Sequence, residues 1–310
     1  MRLVVGTRGS KLALTQTNTV LDSLRALHPE VVFEVKIVKT LGDEEAKNPL
    51  FTIDRRGIFE KEIGVEIAKG DIDLAVHSLK DVPTEGTPEN VIAAVPKRGS
   101  PHDVLISKNR VPLEAVPECG VVGTGSLRRL AEIKHLRPDL QVKAIRGNVD
   151  TRIRKVNEGE FDGVIVAEAG LERMGINNLI AERFSFDRFT PAAGQGALAV
   201  TAKKGNRQVI NILRSIDDPF TRGEVAAERS LVLALEGGCR VPIGAIGRAK
   251  GKSLSLYGCV FSLDGVEKIS SLAEGELSDA EALGRNLAND LMRQGAKEFE
   301  AQWRQKYGPW

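Results

Sequence analysis

A chain of 310 residues, 42% hydrophobic and 28% charged, is too long for one simple core and has the balance of a globular protein built from two or three domains. Its 44 basic and 42 acidic residues leave a net charge of +2, which gives no overall pull towards nucleic acid or an anionic membrane and makes any anion site local. Cys119, Cys239 and Cys259 show no paired or metal-like spacing, the start lacks a signal-peptide core, and no apolar run is long enough to span a bilayer. A cytoplasmic, reducing compartment without a disulfide framework or zinc site is therefore expected.

Leu3 to Val5 predicts a buried strand, Gly6-Thr-Arg-Gly-Ser10 a loop, and Lys11 to Leu27 a helix with Ala13, Thr17, Val20, Leu21, Leu24 and Leu27 on one face. A loop that leaves a strand and opens a helix presents backbone N–H groups and the helix dipole to an anion, with Arg8 and Ser10 as side-chain contributors. On this stretch alone the plainer reading, an N-cap and a solvated loop charge, stands ahead. Val31 to Val38 reads as the second strand, and Thr40 to Gly57 as a polar stretch that is either disordered or a lid. A helix over Ile58 to Ala68 ends at Gly70, and the strand Ile72 to Val76 exits into His77-Ser-Leu-Lys-Asp-Val-Pro83. Ligands of open α/β sheets lie at such strand ends, and Lys80 would keep Asp81 ionised. A turn carrying a solvated ion pair remains the alternative. After a strand at Val91 to Val95, the proline-bounded segment Pro96 to Pro101 reads as a hinge.

Strands are expected at Asp103 to Ser107 and Gly120 to Val122, with Cys119 a packing residue at the start of the latter. Gly123-Thr-Gly-Ser-Leu-Arg-Arg129 repeats the strand, loop, helix arrangement, with Ser126 as N-cap. Arg128 and Arg129 in the first turn oppose the macrodipole, which a bound anion would offset. Val142 to Ile145 leads to Arg146-Gly-Asn-Val-Asp-Thr-Arg152, and the strand Phe161 to Ala167 to Glu168-Ala-Gly-Leu-Glu-Arg173. Arginines thus recur at consecutive strand exits, where their planar forks suit carboxylates or phosphates. With 5% aromatic residues and none interleaved in these loops, a small polyanion is expected rather than nucleic acid.

Thr190-Pro-Ala-Ala-Gly-Gln-Gly196 reads as a crossing, Ala197 to Ala202 as a strand returning to the first unit, and Asp217-Asp-Pro219 as a second boundary. A helix to Gly237, strands at Ile243 to Arg248, Ser253 to Phe261 and Val266 to Leu272, and a helix from Asp279 to Arg293 with further helical sequence make an α+β unit. Cys239 follows the glycines that stop the first of these helices and precedes Arg240. On this stretch alone a reactive thiol and a half-buried structural cysteine stand level.

The motifs Ala75-Val-His-Ser-Leu-Lys-Asp-Val-Pro83, Val122-Gly-Thr-Gly-Ser-Leu-Arg-Arg129, Arg146-Gly-Asn-Val-Asp-Thr-Arg152, Pro191-Ala-Ala-Gly-Gln-Gly-Ala197 and Glu236-Gly-Gly-Cys-Arg-Val-Pro-Ile-Gly244, in this order, closely resemble the porphobilinogen deaminase (hydroxymethylbilane synthase) family over nearly the whole chain. The resemblance implies an α/β fold in which two periplasmic-binding-protein-like α/β domains, residues 1–97 with 196–217 and residues 98–195, form a cleft, plus a C-terminal α+β domain, 218–310. It implies a cytoplasmic monomer with a dipyrromethane cofactor joined by a thioether to Cys239, no metal, porphobilinogen as small-molecule substrate, and no nucleic-acid or membrane partner. Asp81 would be the catalytic carboxylate. Ser78, Lys80, Thr124, Ser126, Arg128, Arg129, Arg146, Gly147 and Arg152 would hold the cofactor. Arg8, Ser10, Arg146, Arg152, Arg173 and Gln195 would bind substrate. Where many members carry a Lys-x-Gly-Gly-Lys-Gly lid, this chain has Thr52-Ile-Asp-Arg-Arg-Gly57, leaving Arg56 and nearby Phe59 as lid residues, and Gly125 replaces a common serine. A non-catalytic anion-binding cleft protein would share the loops but not Cys239. A cysteine hydrolase would need His77 or His102 in a recognisable signature, and neither has one; His77 reads as a hydrogen-bonded strand residue.

Overall fold

The computed structural model describes residues 1–40, 60–84, 89–235 and 242–307. The expected lid residues Arg56 and Phe59, and Cys239, lie outside the described residues.

Strand β1 (Arg2–Thr7) buries Leu3 and Val5 and delivers the chain to helix α1 (Lys11–Leu27), where Ser10 Oγ accepts the Ala13 N–H at 3.3 Å. Helix α1 returns its Val20, Leu21 and Leu24 face to the same core. Strand β2 (Val32–Ile37) and strand β3 (Leu74–Ser78) both pair parallel to β1. Between them helix α2 (Lys61–Lys69) stops at Gly70, whose φ of +88° lets its N–H close on the Glu66 and Ile67 carbonyls. Strand β4 (Asn90–Ala94) then precedes the first crossing.

The second unit opens with strand β5 (Asp103–Ser107), strand β6 (Val121–Gly123), helix α3 (Leu127–Leu136) and strand β7 (Gln141–Lys143). Helix α4 (Val149–Asn157), strand β8 (Gly163–Ala167), helix α5 (Glu168–Met174) and the short strand β9 (Glu182–Arg183) complete it. Its sheet runs β7-β6-β8-β5-β9, with β6 parallel to both neighbours and β5 antiparallel to β8 and β9. Strand β10 (Leu198–Lys203) recrosses into the first sheet and lies antiparallel between β3 and β4, giving the order β2-β1-β3-β10-β4, as the return expected for Ala197 to Ala202 requires. The two sheets therefore share one plan, in which the antiparallel strand is the first one entered after a crossing. The crossings lie side by side: Gly99 N–H donates to Gly196 O at 3.2 Å. At Gly196, φ +85°, a Cβ would sit 2.6 Å from the carbonyl oxygens of Gly99 and Ser100, so only glycine allows the two strands to touch.

Helix α6 (Arg207–Arg214) closes the first unit, and helix α7 (Pro219–Ala234) starts the third, capped by Asp218. Strands β11 (Ile243–Lys250), β12 (Ser253–Phe261) and β13 (Lys268–Glu276) form an antiparallel sheet. Helix α7 and helix α8 (Ala280–Leu291) cover it with Leu231, Leu283, Leu287 and Leu291. Helix α9 (Lys297–Tyr307) continues beyond a π turn in which Gly295 has φ +109°. Fully buried Glu228 on α7 ties the third unit to the two crossings: it receives both Arg98 guanidinium nitrogens at 2.6 and 3.1 Å, Gly194 N–H at 2.6 Å and Gly247 N–H at 2.9 Å. The fold class expected from sequence, two α/β units and a C-terminal α+β unit, is the one observed.

Several local expectations change: β3 runs Leu74–Ser78 rather than Ile72 to Val76, and β7 runs Gln141–Lys143 rather than Val142 to Ile145. Strand β13 begins at Lys268 rather than Val266, because Ser262 and Asp264 side chains take the Glu267 and Val266 N–H groups and hold the turn open. It then runs on to Glu276 despite its polar sequence, since an edge strand keeps one face in water. Cys119 is exposed rather than packed: it sits at φ +60° in a turn closed by Gly120 N–H on Pro117 O. Cys259, by contrast, is buried within β12.

Candidate active site at the facing strand ends

Strand β3 ends in a single 3-10 turn, Leu79–Asp81, pinned by fully buried Leu79, whose N–H donates to Ala197 O at 3.0 Å. A buried anchor flanked by polar residues leaves Ser78 and Lys80 half-buried and Asp81 exposed at the strand end. Ser78 Oγ accepts from Gln16 Nε2 at 2.9 Å, and Lys80 Nζ donates to Gln195 Oε1 at 3.3 Å. Close packing, the Arg129 charge and, more weakly, the Arg128 charge pull the Lys80 ammonium down to about 8, against the opposing carboxylates of Asp81 and Asp103. Arg8 lies half-buried beyond β1, and Ser10 serves as the N-cap of α1. His77 is a buried strand residue bonded to Thr201 Oγ1 at 3.1 Å; burial and then Arg8 push it down to about 4, so it is neutral at physiological pH.

Across from this turn, Ser126 caps α3, and buried Thr124 accepts the Ser126 N–H at 3.1 Å. Arg128 and Arg129 then stand in the first turn, as the sequence implied, but the anion that offsets them belongs to the chain. Arg128 reaches Asp103 Oδ2 at 2.8 Å, Glu132 Oε2 at 2.5 Å and Thr190 O at 2.6 Å. Arg129 grips Asp103 Oδ1 through Nε at 2.9 Å and Nη2 at 2.6 Å, and donates to Ile165 O at 3.0 Å. Burial alone would raise the Asp103 carboxyl, yet Arg128 and Arg129 hold it below its ordinary value. Part of the offset expected from a bound anion is thus supplied within the chain, by Asp103.

The remaining arginines are differently placed. Gly147 has φ +105°, and a Cβ there would lie 2.7 Å from Thr151, so the turn into α4 requires glycine. Arg152 Nε donates to Gly147 O at 2.9 Å. Burial and then the charges of Arg129 and Arg146 bring Arg152 down to about 10, with Asp81 pulling the other way. Arg146 is half-buried at the exit from β7. Arg173, at the end of α5, donates to Gly196 O at 2.7 Å, on the crossing itself. Gln195 is fully buried, its amide N–H groups on Pro101 O at 2.8 Å and Asp103 Oδ1 at 3.1 Å.

Lys80, Asp81, Arg128, Arg129, Arg146, Arg152 and Gln195 thus meet within mutual electrostatic reach, while Arg8, Ser10 and Arg173 lie on adjoining loops. Asp103, Glu132 and Gln16 were missed. For Asp103 a signal existed, a carboxylate opening the apolar run Asp-Val-Leu-Ile-Ser107, since a charge in a buried strand needs a partner. The third unit is tied to the same place: Arg229 on α7 donates to Val82 O at 2.9 Å and Pro83 O at 2.6 Å, beside Asp81.

A family model described as porphobilinogen deaminase, dipyromethane cofactor binding domain, matches residues 3–211, and one for the porphobilinogen deaminase C-terminal domain matches 223–293. The probable porphobilinogen deaminase of Nitrosopumilus maritimus is 40% identical over 310 residues, covering 100% of this chain and 99% of its own. The porphobilinogen deaminase of Desulforudis audaxviator is 46% identical over 303 residues, 97% and 98% of the two chains. Among solved structures, a Salmonella typhimurium periplasmic binding protein with high arginine specificity is similar at 12% identity, with a TM-score of 0.41 over 71% of this chain and 93% of that one. A probable amino-acid transporter binding protein from Bacillus subtilis reaches 0.42 at 10% identity, over 70% and 90%. At such scores these likenesses carry no argument; the fold rests on the strand order above.

Proposed function

Since the chain belongs to the porphobilinogen deaminase family, transferases of tetrapyrrole biosynthesis with a dipyrromethane cofactor, we propose that it is a hydroxymethylbilane synthase whose chemistry is centred on Asp81. It joins four porphobilinogen molecules head to tail, losing ammonia at each addition, and releases the linear tetrapyrrole. The cofactor supplies the pyrrole end to which the first substrate is joined.

One observation carries the reading. Positive charge is crowded at the facing strand ends, and Lys80 and Arg152 are pushed below their ordinary values first by burial and then by their cationic neighbours. Such crowding is relieved by carboxylates, and each pyrrole unit brings two, so the donor set fits a polycarboxylate. In this reading Lys80, Ser78, Thr124, Ser126, Arg128, Arg129, Arg146, Gly147 and Arg152 hold the cofactor, the inner arginines by shaping the site. Arg8, Ser10, Arg146, Arg152 and Arg173 hold the incoming substrate, with fully buried Gln195 acting behind them through Lys80. Asp81 accepts hydrogen bonds from pyrrole N–H groups and stabilises the cation left when the amino group departs. Cys239 bears the cofactor through a thioether, and the Arg229 anchor sets α7, which precedes it in the chain, beside Asp81. A tether keeps intermediates at high effective concentration. Arg56 and Phe59 act as lid residues. The chain divides into 1–97 with 196–217, 98–195 and 218–310, and works as a cytoplasmic monomer.

The test is the denatured intact mass of the purified protein and of Cys239→Ser. An excess equal to two deaminated porphobilinogen units, present only with Cys239, is expected. A protein that stays unmodified even after incubation with porphobilinogen would sink the assignment.

A further inference from the structure

Among the described residues, Asp103, Glu132 and Glu228 are fully buried carboxylates with no part in the roles above, and Asp103 is the one bonded to Gln195. Asp103 opens β5 at the end of the first crossing, with its side chain 0% exposed. Its two oxygens take Arg128, both donors of the Arg129 fork, and the Gln195 amide. Gln195 in turn is sorted by what surrounds it. On the nitrogen side stand two acceptors, Asp103 Oδ1 and Pro101 O; on the oxygen side stand two donors, Lys80 Nζ at 3.3 Å and Arg129 Nη2 at 3.4 Å. A primary amide has one acceptor end and one donor end, so the acceptors at Asp103 and Pro101 fix which end Lys80 meets. The chain Asp103, Gln195, Lys80 runs from the second unit through the crossing to the first, and ends one residue from Asp81.

We propose that Asp103 is a positioning residue for the pyrrole-joining site: through the Gln195 amide and the two inner arginines it holds the Lys80 ammonium, protonated, at the cleft. Removing its charge would strand two arginine charges beside Lys80 and leave Pro101 O as the one firm acceptor of the amide, loosening the sorting that turns its oxygen to Lys80. Both changes disfavour the protonated lysine. The charged groups acting on Lys80 are Arg129, Asp81, Asp103 and Arg128, and Asp103 is one of the two carboxylates that oppose the arginines. The inference rests on the deaminase reading for what the site does, but not for how Lys80 titrates.

The experiment is competitive acylation of Lys80 across pH, read by peptide mass spectrometry, in wild type, Asp103→Asn and Gln195→Leu. Each protein is full length, checked for folding by circular dichroism, and separated by anion exchange according to whether it carries the covalent primer, so that like is compared with like. Lys80 is expected to titrate at lower pH in Asp103→Asn, and also in Gln195→Leu, which cuts the chain at its middle without changing a charge. If Asp103→Asn does not fold, the glutamine variant alone decides. Turnover of porphobilinogen by Asp103→Asn falls about a hundredfold, the scale for a displaced catalytic group. An unmoved Lys80 in either folded variant overturns the proposal. So does an equal shift in Asp217→Asn, which loosens the contact of Val95 and Arg222 away from Gln195 and would mark the effect as general softening.

Discussion

The inner and outer arginines of the cleft look alike in sequence and differ in kind. Arg128 and Arg129 are buried and gripped by Asp103 and Glu132, so their charge is answered within the protein. Arg152, half-buried, has a backbone carbonyl for a partner and arginines for neighbours. Buried ion pairs contribute little net stability but are costly to break, whereas a cation among cations waits for an anion. The first pair is therefore the frame, and in the proposed reading Arg152 is part of the grip.

Arg128→Leu tests this contrast most severely. It leaves Asp103 and Glu132 each short of a partner and is expected to cost about 3–5 kcal/mol in urea unfolding. An unchanged midpoint would place Arg128 with the outer group. Asp81→Asn should lower turnover by roughly 10²–10³-fold, the scale for a lost electrostatic partner of the developing charge. Because Asp81 is exposed, its unfolding midpoint should move by less than about 0.5 kcal/mol. Arg152→Leu should raise the KM for porphobilinogen about tenfold, the loss of one charge-assisted hydrogen bond, while stability holds or rises as repulsion is relieved. A large fall in stability would break the comparison from the other side.

Two pH effects are smaller. Lys80 is protonated below about 8, so substrate affinity should weaken as pH rises through that value. The ligand-free protein should instead gain stability between about 8 and 10.5, because the native state gives up its proton before the unfolded chain does. His77 titrates near 4 when folded and 6.5 when unfolded, so it withdraws stability as pH falls through that interval, and His77→Gln should flatten this part of the acid limb.

Much of this organisation was legible in the chain. Helical and strand periodicity located α1, β5, β8 and β12, and the Ser126 cap could be named from its place before the arginines. The return of β10 to the first sheet followed from an apolar run after a glycine-rich crossing. The balance of charge was not legible, because Asp103 lies on a different strand from the arginines that it neutralises and sequence spacing gives no distance between them. Gln195 read as a residue beside the cleft, and only packing reveals it as a buried link between units. Cys119 misled for a local reason: its position before an apolar strand suggested the core, while the Pro117 turn points the chain outward.

The placement of β10 also sets an order of events during synthesis. Among the described residues, strand β4 is joined to its sheet only through β10, which is made after the whole second unit. The part translated first is completed second, and until residue 203 has emerged the first unit presents an unpaired β3 edge to its surroundings. A nascent chain halted near residue 195 should accordingly shield its second unit from protease before its first.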